Sequence, residues 1–165
     1  MIVLELIKVI RLKYESFCTE DTLGLAYKLG KAAKSGDIYC LSGDLGAGKT
    51  VFSKGFARAM GYEGITSPTF NIMNEYNGGA LPLYHFDLYR LKDESELETV
   101  GYEDYFYSDG VCLVEWAERA INFFPKNVFW VTISCDENYG SDYRELNIEN
   151  YGDTYRELDI ENTCD

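Results

Sequence analysis

A chain of 165 residues, 46% hydrophobic and 15% aromatic, carries enough apolar material for one buried core, which argues against global disorder. Its formal net charge is −13, with 28 acidic against 15 basic residues, so its surface repels a nucleic-acid backbone and disfavours extensive direct binding to one. Five cysteines that never form C-x-x-C, together with a single histidine, His85, argue against a zinc centre.

Residues 1–10 include Glu5 and lack both a basic leader and a long apolar segment, so neither a signal peptide nor a membrane span is expected. The chain reads as cytoplasmic and reduced, with Cys40 and Cys112 as small core residues inside apolar runs. Alternation over 9–16 predicts a first strand. Thr19-Glu20-Asp21-Thr22 then offers N-cap chemistry for a helix whose apolar face is Leu23, Ala26, Tyr27, Leu29, Gly30 and Ala33, ended by Lys34-Ser35-Gly36. The short apolar run 37–41 predicts a buried strand, and a helix begins at Lys49 after a glycine-rich loop. Residues 61–68 form a connector. Residues 70–76 and 83–89 read as a hairpin through Asn77-Gly78-Gly79, and 92–100 as a short acidic helix.

The continuous apolar run 111–114 predicts a central strand buried on both faces, followed by a helix over 117–124 stopped at Pro125 and a strand over 128–134. Alternating strands and helices predict a three-layer α/β fold whose hairpin makes the sheet mixed, parallel and antiparallel; joined to the phosphate-binding pattern at residues 43–50, this becomes a P-loop NTPase-like domain. The segment 139–150 is repeated at once by 151–162, with Tyr-Arg-Glu-Leu in both copies. One copy is expected to supply a final edge strand, which sets a single domain at 1–150 and a C-terminal extension at 151–165 carrying the second copy.

Gly43-Asp44-Leu45-Gly46-Ala47-Gly48-Lys49-Thr50 matches G-x-x-x-x-G-K-[ST] at every defined position. Glycines let the backbone wrap a polyphosphate, so Asp44, Leu45, Gly46, Ala47 and Gly48 would bind nucleotide through successive N–H groups. Lys49 would reach the β/γ-phosphates, and the Thr50 hydroxyl would coordinate Mg²⁺. A strand before the loop and a helix after it put the phosphates at a helix N-terminus. Such a loop needs a second acid for Mg²⁺ at the end of a neighbouring buried strand, and Glu115 after 111–114 meets that need. Asp87, at the end of an apolar strand, could orient the attacking water or hold a Mg²⁺-bound water; an exposed carboxylate pairing with Arg90 is an equal reading of the residues alone. His85 reads as a structural or interface side chain rather than a catalytic base. Ser67-Pro68-Thr69-Phe70 could sense a γ-phosphate, although an ordinary Pro turn explains those residues better on their own.

The phosphate loop, Ser67-Pro68-Thr69-Phe70, Tyr84-His85-Phe86-Asp87-Leu88-Tyr89-Arg90-Leu91 and Leu113-Val114-Glu115-Trp116 occur in an order and spacing that closely resembles the bacterial TsaE (YjeE) family over roughly residues 13–134. The resemblance implies an ATPase needed to form threonylcarbamoyladenosine in tRNA, bound to a TsaB–TsaD heterodimer that itself handles the tRNA. It also implies roles by position. Lys49 and Thr50 serve phosphate and Mg²⁺, Glu115 the metal, Asp87 the chemistry or the metal's surroundings, and Ser67 and Thr69 a switch-like segment. Trp116 lies near the nucleotide, Thr19 lines the adenine pocket, and an Arg after the late strand matches Arg144, with Arg156 in the same local context. Two other functions share the loop: an ATP-binding interaction module without turnover, and a small-molecule kinase. The scattered arginines count against the kinase's basic lid, and no N-K-x-D segment exists for a GTPase.

Overall fold

Residues 10–68 and 70–151 are described by a computed structural model. Their strands are β1 (Ile10–Ser16), β2 (Ile38–Ser42), β3 (Met73–Tyr76), β4 (Leu83–Asp87), β5 (Val111–Glu115), β6 (Val128–Cys135) and β7 (Arg144–Tyr151). They form one sheet in the order β1-β7-β6-β2-β5-β4-β3. β5 and β6 flank β2 in parallel and β4 runs parallel to β5, whereas β3, β7 and β1 join antiparallel. The predicted hairpin is present, with Tyr76 opposite Leu83.

Strand periodicity sorts the core into two layers. Tyr39 and Leu41 of β2, Leu83 of β4, Val111 and Leu113 of β5, and Phe129, Val131 and Ile133 of β6 share a cluster with helices α1 (Thr19–Ala32) and α2 (Lys49–Ala59). The alternate residues Ile38, Cys40, Phe86, Cys112, Val114 and Val128 pack with Leu97 of α3 (Ser95–Thr99), Phe106 of α4 (Glu103–Phe106) and Ala117 and Ala120 of a 3₁₀ stretch, Ala117–Phe123. Helices on both faces of a mixed sheet make the expected three-layer α/β domain.

Several local expectations change. The first repeat copy forms β7, which lies between β1 and β6 rather than at an edge; β1 caps it through pairs running from Ile10↔Asn150 to Ser16↔Arg144. Tyr151, the first residue of the second copy, ends β7; the rest of that copy, 152–162, lies outside the described residues. Residues 117–123 are 3₁₀, broken at Ala120 (φ −140°), instead of α-helical. The acidic helix is confined to Ser95–Thr99, and α4 follows it without a periodic signal in sequence. The N-cap of α1 is Cys18, which contributes no side-chain bond; Asp21 instead reaches back to accept the Phe17 N–H at 2.8 Å. Leu25 takes a place in the buried face of α1, whereas Tyr27 is exposed.

Small residues let α1 and α2 touch. A Cβ on Gly30 would lie 2.4 Å from the Phe56 carbonyl oxygen and 2.8 Å from Ala59 Cβ. Gly30→Ala should therefore push the helices apart and destabilise the fold by about 2 kcal/mol, lowering Tm by roughly 4–8 °C. Gly24 on the same helix meets nothing within 4 Å, so Gly24→Ala should raise Tm in the same thermal melt through helix propensity alone. Equal melting of Gly30→Ala and wild type would contradict this account of the contact.

Candidate functional site

The loop from Ser42 to Lys49 turns tightly against β6. Gly43 sits at φ 145°, where a Cβ would meet the Ile133 carbonyl oxygen at 2.3 Å, so only glycine fits. Gly48, at φ 111°, is the N-cap of α2 and makes no side-chain cap, which leaves the first-turn N–H groups and the positive end of the helix dipole at the loop. Ala47 N–H closes onto the Asp44 carbonyl at 3.1 Å. Arg144 braces the loop from β7: its Nε donates to the Ala47 carbonyl at 2.9 Å and its Nη2 to the Gly46 carbonyl at 3.4 Å. Lys49 is buried; its Nζ donates to the carbonyls of Gly43 and Asp44 and sits 3.6 Å from the Trp116 ring centroid. Burial pulls the Lys49 pKa below its ordinary value, against the opposing pull of Glu118, Glu115, Asp44 and Asp87.

Two periodicities meet beside this loop. Thr50 and Ser53, three apart, share a face of α2. Glu115, Asp87 and His85 belong to the sheet face that α2 covers, because they follow Leu113 and Leu83 in steps of two. The register sets Asp87 beside Glu115 on adjacent parallel strands. Glu115 is 2% exposed. Its Oε2 accepts from the Thr50 hydroxyl at 3.2 Å, while its Oε1 contacts Ser53 Oγ at 2.7 Å and His85 Nε2 at 2.9 Å. Burial alone would raise the Glu115 pKa; the hydrogen bond and charge of His85, with Ser53 and Thr50, outweigh it and leave the group below its ordinary value. Asp87 moves the other way. Burial raises it and the neighbouring Glu115 adds to that, against hydrogen bonds from the Tyr89 N–H (3.0 Å) and Ser67.

These groups surround a pocket of about 370 Å³ walled by Leu45, Gly46, Gly48, Lys49, Thr50, Asp87, Glu115 and Trp116 among others. A smaller one of about 100 Å³, on the other side of Gly46 and Gly48, holds Thr19, Ala47 and Arg144. Thus the residues singled out in the sequence converge, apart from the Asp44 side chain, which lines neither pocket; Asp44 contributes its carbonyl. Ser67 borders a neighbouring cavity that shares Asp87 and Tyr89 with the larger pocket. Thr69 and Arg156 lie outside the described residues. Trp116 adopts a left-handed backbone (φ 58°, ψ 38°), the one positive-φ non-glycine residue among those described, and such strain tends to collect at functional sites. Sequence motifs do not mark Ser53, and His85, expected as a structural or interface side chain, bonds the same Glu115 oxygen as Ser53. Ser53 could have been found three residues after Thr50, and His85 two before Asp87.

Thr50 Oγ1 and Glu115 Oε2 could together hold a Mg²⁺ ion that takes its other ligands from phosphate and water, the usual arrangement for that cation. No cluster of three or more His, Cys, Asp or Glu able to hold a metal occurs among the described residues. No helix among them is long and apolar enough to cross a membrane.

The family model described as "Threonylcarbamoyl adenosine biosynthesis protein TsaE" matches residues 18–146. The tRNA threonylcarbamoyladenosine biosynthesis protein TsaE of Bacillus subtilis (strain 168) is 46% identical over 137 residues, 82% of this chain and 84% of that one. The protein of the same name from Haemophilus influenzae is 42% identical over 109 residues, 66% of each chain. The crystal structure of Bacillus subtilis YdiB superposes with a TM-score of 0.73 at 41% identity and covers 88% of both chains. With its phosphate-loop fold, its matched span and these relatives, the chain belongs to the TsaE family.

Proposed function

We propose that this chain is a Mg²⁺-dependent ATPase that turns over slowly alone and serves a TsaB–TsaD heterodimer in forming threonylcarbamoyladenosine at position 37 of tRNA. The observation that carries the reading is convergence: the glycine loop, Lys49, and the Thr50–Glu115 pair line one pocket. Those residues suit the ligands. Cβ atoms built on Gly46 and Gly48 meet nothing within 4 Å, so the loop is open on that side, and the donor set for the metal is the hard-oxygen pair Mg²⁺ prefers.

In this reading Lys49 and the N–H groups at the start of α2 bind the β- and γ-phosphates. Thr50 and Glu115 Oε2 hold the metal, which when bound neutralises charge developing on the phosphate oxygens. Asp87, half-buried and raised in pKa, accepts a hydrogen bond from the attacking water and aligns it. Thr19 and Arg144 bound the smaller pocket, where the base would sit. The chain's acidic surface leaves the tRNA to its partners. The four cysteines described are all unpaired, in keeping with a cytoplasmic setting.

The deciding measurement is single-turnover hydrolysis of ATP by the chain alone and then with TsaB–TsaD added. Slow hydrolysis that rises with the heterodimer is expected. Binding of ATP with no hydrolysis in either mixture would favour a nucleotide-gated interaction module instead.

A further inference from the structure

The Glu115 carboxylate is divided between two tasks, and the division depends on His85. We infer that His85 is a positioning residue: with Ser53 it locks Glu115 Oε1, so that only Oε2 is left for the metal. This inference rests on the Mg²⁺ reading above.

Hydrogen-bond accounting leads there. An ionised carboxylate only accepts, so both groups touching Oε1 must donate to it. Ser53 has one hydroxyl proton and two acceptors within reach, Glu115 Oε1 at 2.7 Å and the Lys49 carbonyl at 3.0 Å. The shorter bond, to the charged acceptor, is the stronger. His85 must then be protonated on Nε2, 2.9 Å from the same oxygen. Its Nδ1 is buried with no hydrogen-bond partner among the described residues, so Glu115 is the polar contact that fixes the ring. His85 and Glu115 side chains are 1% and 2% exposed, so bulk solvent does not compete for this contact. On the strands, His85 pairs with Leu113 and Asp87 with Glu115, so the ring reaches diagonally across β4 and β5 to an acid two residues further along. Groups of this kind, which orient a ligand without touching the ion, typically govern metal affinity strongly.

The test exploits the place of the nitrogen. A glutamine amide nitrogen extends to about where Nε2 lies, whereas an asparagine amide stops near Nδ1. ATP affinity would be measured by calorimetry, across a Mg²⁺ series and in EDTA, for wild type, His85→Gln and His85→Asn, with thermal melts alongside. His85→Asn should raise the Mg²⁺ concentration for half-maximal tight ATP binding about 10-fold, and His85→Gln should restore most of it. Affinity in EDTA should be the same in all three proteins. Ser53→Ala should shift the Mg²⁺ series in the same direction and serves as the readout if His85→Asn does not fold. Equal shifts in the Gln and Asn variants, or an equal loss in EDTA, would mean that His85 only packs. Unshifted Asn and Ala variants in a Mg²⁺-dependent wild type would overturn the inference alone. A wild type indifferent to Mg²⁺ would overturn it together with the reading beneath it.

Discussion

Lys49→Ala is expected to weaken ATP binding by about 100-fold, close to 3 kcal/mol, because a buried cation that would meet two phosphates is removed. The fold should survive. Lys49 Nζ is spent on two loop carbonyls and an indole face, so its loss leaves acceptors at a pocket wall and no buried charge without a partner. A titration of ATP into the variant, paired with its melting curve, separates the two effects. Normal ATP affinity in a well-folded Lys49→Ala protein would remove the loop from the account of binding. Thr50→Ala should behave differently, weakening binding in Mg²⁺ more than binding in EDTA, since its hydroxyl serves the metal.

Glu115→Ala should slow single-turnover hydrolysis by about 100-fold or more, the several kcal/mol that a correctly held metal contributes to a phosphoryl-transfer transition state. Alanine also strips His85 and Ser53 of their shared acceptor inside the protein, which should cost about 1–3 kcal/mol of stability. Glu115→Gln separates the two consequences, because its amide oxygen can still accept while its charge is gone. The Gln variant should melt closer to wild type yet remain nearly inactive. If wild type and Glu115→Ala hydrolysed ATP at equal rates, the carboxylate would have no part in catalysis.

Much of this arrangement was legible because it is local. The eight-residue loop specifies its own shape through Gly43 and Gly48, and 111–114 is apolar at every position because β5 is covered on both faces. The position of β7 was not legible. Its burial alternates at Leu146, Ile148 and Asn150, a pattern that suits an edge strand and its inner neighbour alike; only pairing with β1, more than a hundred residues earlier, decides between them. The 3₁₀ break at Ala120 and the four-residue α4 are too short for periodicity to mark. Within the site, the sequence motifs pick out the residues that would touch a ligand. They pass over Ser53 and understate His85, whose work is visible only once β4 and α2 are brought against the same carboxylate.

The indole of Trp116 beneath an ammonium group has an optical consequence. The chain holds two tryptophans, and the other, Trp130 of β6, donates its Nε1–H to Ser42 Oγ at 3.0 Å. A cation 3.6 Å from the centre of an indole perturbs its excited state, so the emission of Trp116 reports where the lysine head rests. With Trp130 changed to phenylalanine, intrinsic fluorescence would track the lysine leaving that ring, giving a label-free clock for each arrival and departure at the loop.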